Sequence, residues 1–171
     1  MSEDVNDIGK VDDPTSYKEA MNSEHSPMWF DAMEEEMKSM SINDVWDLVE
    51  IPKGAKTVGC KWVYKTKHDS KGNIERFKAR LVAKGFTQRE GIDYVETFSP
   101  VSSKDSFRIV MALVAHFDLE LHQMDVKTAF LNGDLREKVY MAQPEGFVVE
   151  GKEYMGCQLK KSIYRLKQAS R

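Results

Sequence analysis

Amphipathic helices set beside an antiparallel hairpin are what this 171-residue sequence predicts, a mixture of α and β structure. Three observations support that expectation. Ser26-Pro27 opens a run in which Trp29, Met33, Met37 and Met40 recur at helical spacing. The stretch GCKWVYKTKHDSKGNIERFKARLVAKGF holds two strand-like runs around a polar loop. After Pro100, Phe107, Val110, Met111 and Val114 share one face of a second helix.

Length and composition bound the rest. With 41% hydrophobic residues the chain can bury a core, and its length suits one domain or a piece of a larger one. Cys60 and Cys157 lie far apart and no apolar signal segment opens the chain. Both features point to a reducing intracellular setting, cytoplasm or nucleus, rather than to a disulfide framework. No apolar run approaches the roughly 20 residues that cross a bilayer, so no membrane partner is expected.

Net charge is −3, but the sign is divided along the chain. Residues 1–50 carry fourteen acids against Lys10, Lys18 and Lys38, a balance of −11. Residues 56–89 carry ten lysines and arginines against Asp69 and Glu75, a balance of +8. Such blocks suggest an acidic tail and a surface that attracts polyanions, although a basic stretch also serves as a solvated face.

Each element follows from its own chemistry. Residues 1–14 are polar, acidic and aperiodic, which predicts a disordered leader. Ser26 offers an N-cap and Pro27 a first-turn proline to the helix that carries the tryptophan and methionine stripe, a packing face. Trp46, Leu48 and Val49 read as a short strand before the turn Pro52-Lys53-Gly54. In the hairpin, strands at 60–67 and 74–84 flank HDSKGN, where Lys71-Gly72-Asn73 supplies the turn.

Alternation then gives the second strand two faces: Phe77, Ala79, Leu81 and Ala83 on one, Arg76, Lys78, Arg80 and Lys84 on the other. A cationic face of that kind suits a phosphate backbone or a triphosphate. It equally suits a solvated edge strand that resists aggregation.

Ser102 or Ser103 can cap the second helix. Leu119 to Val126 reads as a further strand, with Asp125 at its C-terminal end beside Ala129-Phe130-Leu131. A carboxylate there can bind a hard cation such as Mg²⁺ or act as a structural cap. His25, His68, His116 and His122 show no metal-ligand spacing, and neither a glycine-rich phosphate loop nor a nucleophile elbow is present.

An ordered series of phrases carries more. W-x-x-A-M-x-x-E from Trp29 to Glu36, WDLVEIPKG, KWVYKTK, RFKARLVAKGFTQREGIDYVETFSPV, QMDVKTAFLNGDL, VYMAQPEGF and LKKSIYRLKQASR together resemble the reverse transcriptase of copia-type long-terminal-repeat retrotransposons. The resemblance spans about residues 15–171. It implies an α+β architecture, a mixed or antiparallel sheet with packed helices. Those residues would form the fingers and first part of the palm of a right-hand polymerase, within a larger Pol polyprotein.

The resemblance also implies roles. Asp125 would be a catalytic aspartate and Mg²⁺ ligand. Phe130 would lie under the incoming sugar, Lys78 and Arg80 near the triphosphate, and Lys167 and Gln168 over the nucleotide and template. Lys61, Lys65 and Lys84 would contact an RNA or DNA template–primer.

Two-metal phosphoryl transfer needs carboxylates that bridge ions about 3.5–4 Å apart. The family takes two further aspartates from a Tyr-x-Asp-Asp hairpin, which does not occur before Arg171. The adjacent pair Asp12-Asp13 lies in the leader, where loose geometry is expected. The chain is thus expected to be unable to polymerise alone, or to be a non-catalytic nucleic-acid-binding remnant or a pseudogene product. Arg165 and Ser170 also stand where the family has glycine and proline. An arginine held at φ > 0 would cost about 1 kcal/mol or more.

Overall fold

The computed structural model describes residues 12–94, 104–122, 124, 128, 131 and 133–170. Asp125, Phe130, Ser102 and Ser103 lie outside these described residues. So do residues 1–11 of the leader and residues 123, 125 and 126 of the predicted strand.

Two helices open the fold. α1 (Tyr17–Asn22) starts where Ser16 Oγ accepts from Glu19 N at 3.2 Å, and the Glu19 carboxylate accepts in turn from the Thr15 backbone and hydroxyl. α2 (Ser26–Ile42) buries Trp29, Ala32, Met33 and Met40, so the tryptophan and methionine stripe is a packing face. Ser26 is not its N-cap. The first helical bond runs from Trp29 N to His25 O, so the helix begins one residue early and His25 takes the cap position without a side-chain bond. Pro27 fits the first turn because no carbonyl there needs its missing N–H.

Six strands follow. β1 (Trp46–Glu50), β2 (Thr57–Val58), β5 (Asp134–Met141) and β6 (Met155–Lys161) form a sheet in the order β1-β6-β5-β2. β6 is antiparallel to both neighbours, and β2 runs parallel to β5. β3 (Cys60–His68) and β4 (Ile74–Ala83) form the hairpin, with Gly72 at φ 87° in its loop. That conformation is one glycine adopts without a Cβ penalty. The architecture is mixed α+β, with antiparallel and mixed sheets.

Among the described residues one cluster of buried side chains joins helices and sheets. Trp29 is its centre, with no exposed surface and edge contacts to Tyr64 at 5.2 Å and Phe77 at 4.6 Å. Further along the same buried face of the hairpin, Trp62 Nε1 donates to Glu145 O at 2.9 Å, and its ring tilts against Phe147, which stacks on Phe30. Alternation along β3 and β4 therefore places one face in the core.

The third helix, α3 (Lys104–Phe117), forms where its periodicity predicts, yet none of its residues is buried. Among the described residues no helix is long and apolar enough to cross a membrane. The strand predicted over 119–126 is corrected in its described part: Leu119 to His122 are exposed and irregular. A strand needs a hydrogen-bonded neighbour, and none pairs with this segment among the described residues.

Asp13 also departs from the expectation of a loose leader. Its carboxylate accepts from Thr66 N on the free edge of β3 and pairs with Lys65 Nζ at 2.9 Å. A carboxylate that answers an unpaired edge N–H has a defined position.

Candidate nucleic-acid interface

Pairing in the hairpin decides which cations share a face. Lys61 lies opposite Val82, Val63 opposite Arg80, Lys65 opposite Lys78, and Lys67 opposite Arg76. Paired residues project to the same side of a sheet. Lys61, Lys65, Lys67, Arg76, Lys78 and Arg80 therefore occupy one face, while Trp62, Tyr64, Ala79 and Leu81 are buried on the other. Two directly opposed pairs are cation on cation, an arrangement that weakens a sheet.

Electrostatics follow from that crowding. Partial burial, and after it the adjacent Arg80 and Arg76, hold the Lys78 ammonium below its ordinary pKa. Glu36 of α2 stands at the edge of β4, where its Oε1 accepts from Leu81 N at 3.3 Å. Burial raises its pKa, opposed by the Leu81 bond and by Arg80 and Lys78. Among the described residues Lys65 is the member of this face in a salt bridge, with Asp13. Burial tends to raise the Asp13 pKa, but the Lys65 ammonium and the Thr66 N–H bring it below the ordinary value. Lys84 stands just past β4 and is exposed, its backbone N donating to Gly59 O at 2.7 Å.

The C-terminal end of β4 meets residues 164–168. Val82 forms a parallel bridge to Tyr164, Ala83 N donates to Tyr164 O at 2.9 Å, and the Arg80 guanidinium lies 5.2 Å from the Tyr164 ring centre. A Cβ on Gly85 would stand 2.1 Å from Arg165 O, so only glycine allows this approach. Arg165 itself sits at φ 63°, the conformation for which the glycine-to-arginine departure predicts a cost.

Lys167 is exposed at the start of a 3-10 turn, Lys167–Ser170, whereas Gln168 is buried. Gln168 Nε2 donates to Asp93 O at 3.0 Å and its Oε1 accepts from Gln88 at 3.2 Å. Its amide is thus committed within the protein.

The structure brings Lys61, Lys65, Lys78 and Arg80 onto one surface and fastens the segment of Lys167 and Gln168 to its end. It also recruits residues that sequence reasoning did not find: Lys67, Asp13, Glu36, Tyr164 and Gln88. Lys67 alternates with Lys65 and Lys61 and was open to the same pattern. The others act across long sequence separations and leave no local signal. Asp125 and Phe130 lie outside the described residues. Among those residues no group of three or more His, Cys, Asp and Glu could hold a metal ion, so they define no ion geometry.

Comparison with known proteins agrees with the motif series. Residues 43–171 match the family described as "Reverse transcriptase (RNA-dependent DNA polymerase)". The chain is 52% identical over 159 residues to the "Retrovirus-related Pol polyprotein from transposon TNT 1-94" of Nicotiana tabacum, covering 93% of this chain and 12% of that protein. It is 47% and 46% identical to the corresponding polyproteins of transposons RE2 and RE1 of Arabidopsis thaliana, in each case over 84% of this chain and 10% of the relative. The chain thus spans about a tenth of the length of these relatives. No solved structure gives a significant match. The chain belongs to the reverse transcriptase (RNA-dependent DNA polymerase) family, in the form carried by copia-type retrotransposon Pol polyproteins.

Proposed function

We propose that these residues form the fingers and first palm part of a right-hand RNA-directed DNA polymerase. In this reading the cationic face of the hairpin lies along the phosphates of an RNA or DNA template–primer, and Lys78, Arg80 and Lys167 meet the triphosphate of the incoming deoxynucleotide. The observation that supports it is the cation ladder, Lys65 against Lys78 and Lys67 against Arg76. Opposed like charges destabilise a free sheet; Asp13 answers Lys65, and a polyanion laid across the face would offset the remaining repulsion among Lys67, Arg76 and Lys78.

Asp125 is the residue of this chain that would hold Mg²⁺, together with aspartates of the Tyr-x-Asp-Asp type from another segment of a Pol polyprotein. When bound, the metal pair supplies activation of the primer 3′-hydroxyl and stabilisation of the departing pyrophosphate. Phe130, five residues on, would lie against the sugar and disfavour a 2′-hydroxyl by overpacking, which typically costs about 1–3 kcal/mol.

The test pairs binding with primer extension on the 171-residue chain. Binding to duplex DNA should weaken with salt, with a log–log slope of roughly −0.9 per neutralised phosphate. Replacing Lys78, Arg80 and Lys84 by Ala should flatten that slope by about two to three units. Primer extension with Mg²⁺ should stay at background, because Asp125 alone cannot bridge two ions. An unchanged slope moves the binding surface off the hairpin, and extension abolished by Asp125→Asn shows that the metal ligands lie within these residues.

A further inference from the structure

Gln88 and Gln168 are buried, 80 residues apart in sequence, and bonded to each other. The Gln88 amide is matched at both ends. Its oxygen accepts from Lys167 N at 3.0 Å and its nitrogen donates to Gln168 Oε1 at 3.2 Å, while the Gln168 nitrogen donates to Asp93 O at 3.0 Å. Asp93 is fixed in turn, its carboxylate accepting from Arg89 N at 2.7 Å and Lys56 Nζ at 3.0 Å. A chain of satisfied bonds therefore runs from the loop after β4 to the backbone of Lys167. Buried and satisfied networks hold their members in one arrangement.

Two anchors set the run 164–168. Tyr164 is held by Val82 and Ala83 under the Arg80 guanidinium, and Lys167 is held by Gln88. Gln88 is buried, whereas Lys167 is exposed. We propose that Gln88 is a positioning residue for triphosphate binding: it holds Lys167 at the end of the cationic strand so that Lys167 and Arg80 act on one polyphosphate. The proposal rests on the nucleotide reading given above. It predicts an asymmetry between ligands, because a duplex lies along the hairpin and is held by cations that Gln88 does not touch.

The experiment titrates the 171-residue chain with a fluorescent N-methylanthraniloyl dATP and Mg²⁺, and in parallel with a DNA duplex. Gln88→Met removes both amide bonds at similar size, Gln88→Glu keeps an acceptor for Lys167 N, and Lys167→Ala removes the ammonium. Gln88→Met should weaken dATP binding about fivefold, the effect of roughly one hydrogen bond. Duplex affinity should change by less than about twofold, since separate contacts behave independently. Gln88→Glu should fall between, and adding Lys167→Ala to Gln88→Met should cost less than it does alone.

If Lys167→Ala weakens dATP binding while Gln88→Met does not, the positioning role is wrong and the nucleotide reading stands. If Gln88→Met lowers dATP and duplex binding together, in step with a lower melting temperature, Gln88 is packing alone. Failure of the unmodified chain to bind dATP overturns the nucleotide reading, and the role of Gln88 with it.

Discussion

At the scale of single residues, Arg165 shows how a local rule is broken and what that costs. A non-glycine side chain in the left-handed region is disfavoured by about 1–2 kcal/mol, and Arg165 sits at φ 63°. Its neighbours impose the conformation: Tyr164 is tied to β4, and Arg165 O packs against Gly85 with no room for a Cβ. Glycine at 165 would remove the strain and add about 0.5–1 kcal/mol of unfolded-chain entropy, so the two effects oppose. Strain is the larger. Arg165→Gly should therefore stabilise by about 0.5–1 kcal/mol, seen as a melting temperature higher by about 1–4 °C. A lower melting temperature would mean that the arginine side chain makes contacts worth more than its strain.

Among the elements, the hairpin is the one whose sequence says most. Period-two alternation in β4 and the Gly72 turn are local signals, and both strands form within a residue of their predicted bounds. The cationic half of the candidate site is legible for the same reason. β5 and β6 are harder to see: DLREKVYM and MGCQLKK alternate incompletely, and β6 pairs with β1 across more than a hundred residues. The Gln88–Gln168 bond is hidden likewise, because a buried amide pair is a property of the folded chain and not of either neighbourhood.

The free edge of β3 makes a further prediction. Asp13 neutralises Lys65 and accepts from Thr66 N. Asp13→Asn retains an acceptor and removes the charge, so Lys65 becomes available to phosphate and the salt slope on duplex DNA should steepen by up to about 0.9. A folded-state pKa below the ordinary value means that the ion pair contributes stability above the usual carboxylate range and loses it as pH falls through the lowered pKa. Denaturation of the unmodified chain should accordingly respond to acid more steeply than that of Asp13→Asn. Identical slopes in salt and in pH would leave the Asp13–Lys65 pair without consequence in solution.

Over the whole molecule, apolar surface is unevenly covered. One cluster takes in α1, α2, both sheets and the segment to Leu166, whereas α3 contributes no buried residue. Phe107 and Phe117 on α3 are 65% and 60% exposed, and Leu121 and Met124 beyond it are 55% and 88% exposed. Scattered exposed apolar residues are ordinary, but an amphipathic helix showing its oily stripe to solvent is a sticky surface. The 171-residue chain should therefore bind an apolar dye such as anilinonaphthalene sulfonate and self-associate as its concentration rises. Phe107→Lys with Val110→Lys should reduce both, with a stability change within about 0.5 kcal/mol because few contacts are lost. Dye fluorescence read beside a denaturant titration separates the outcomes. If the double substitution instead destabilises by several kcal/mol, the α3 stripe is packed in solution and belongs to the core.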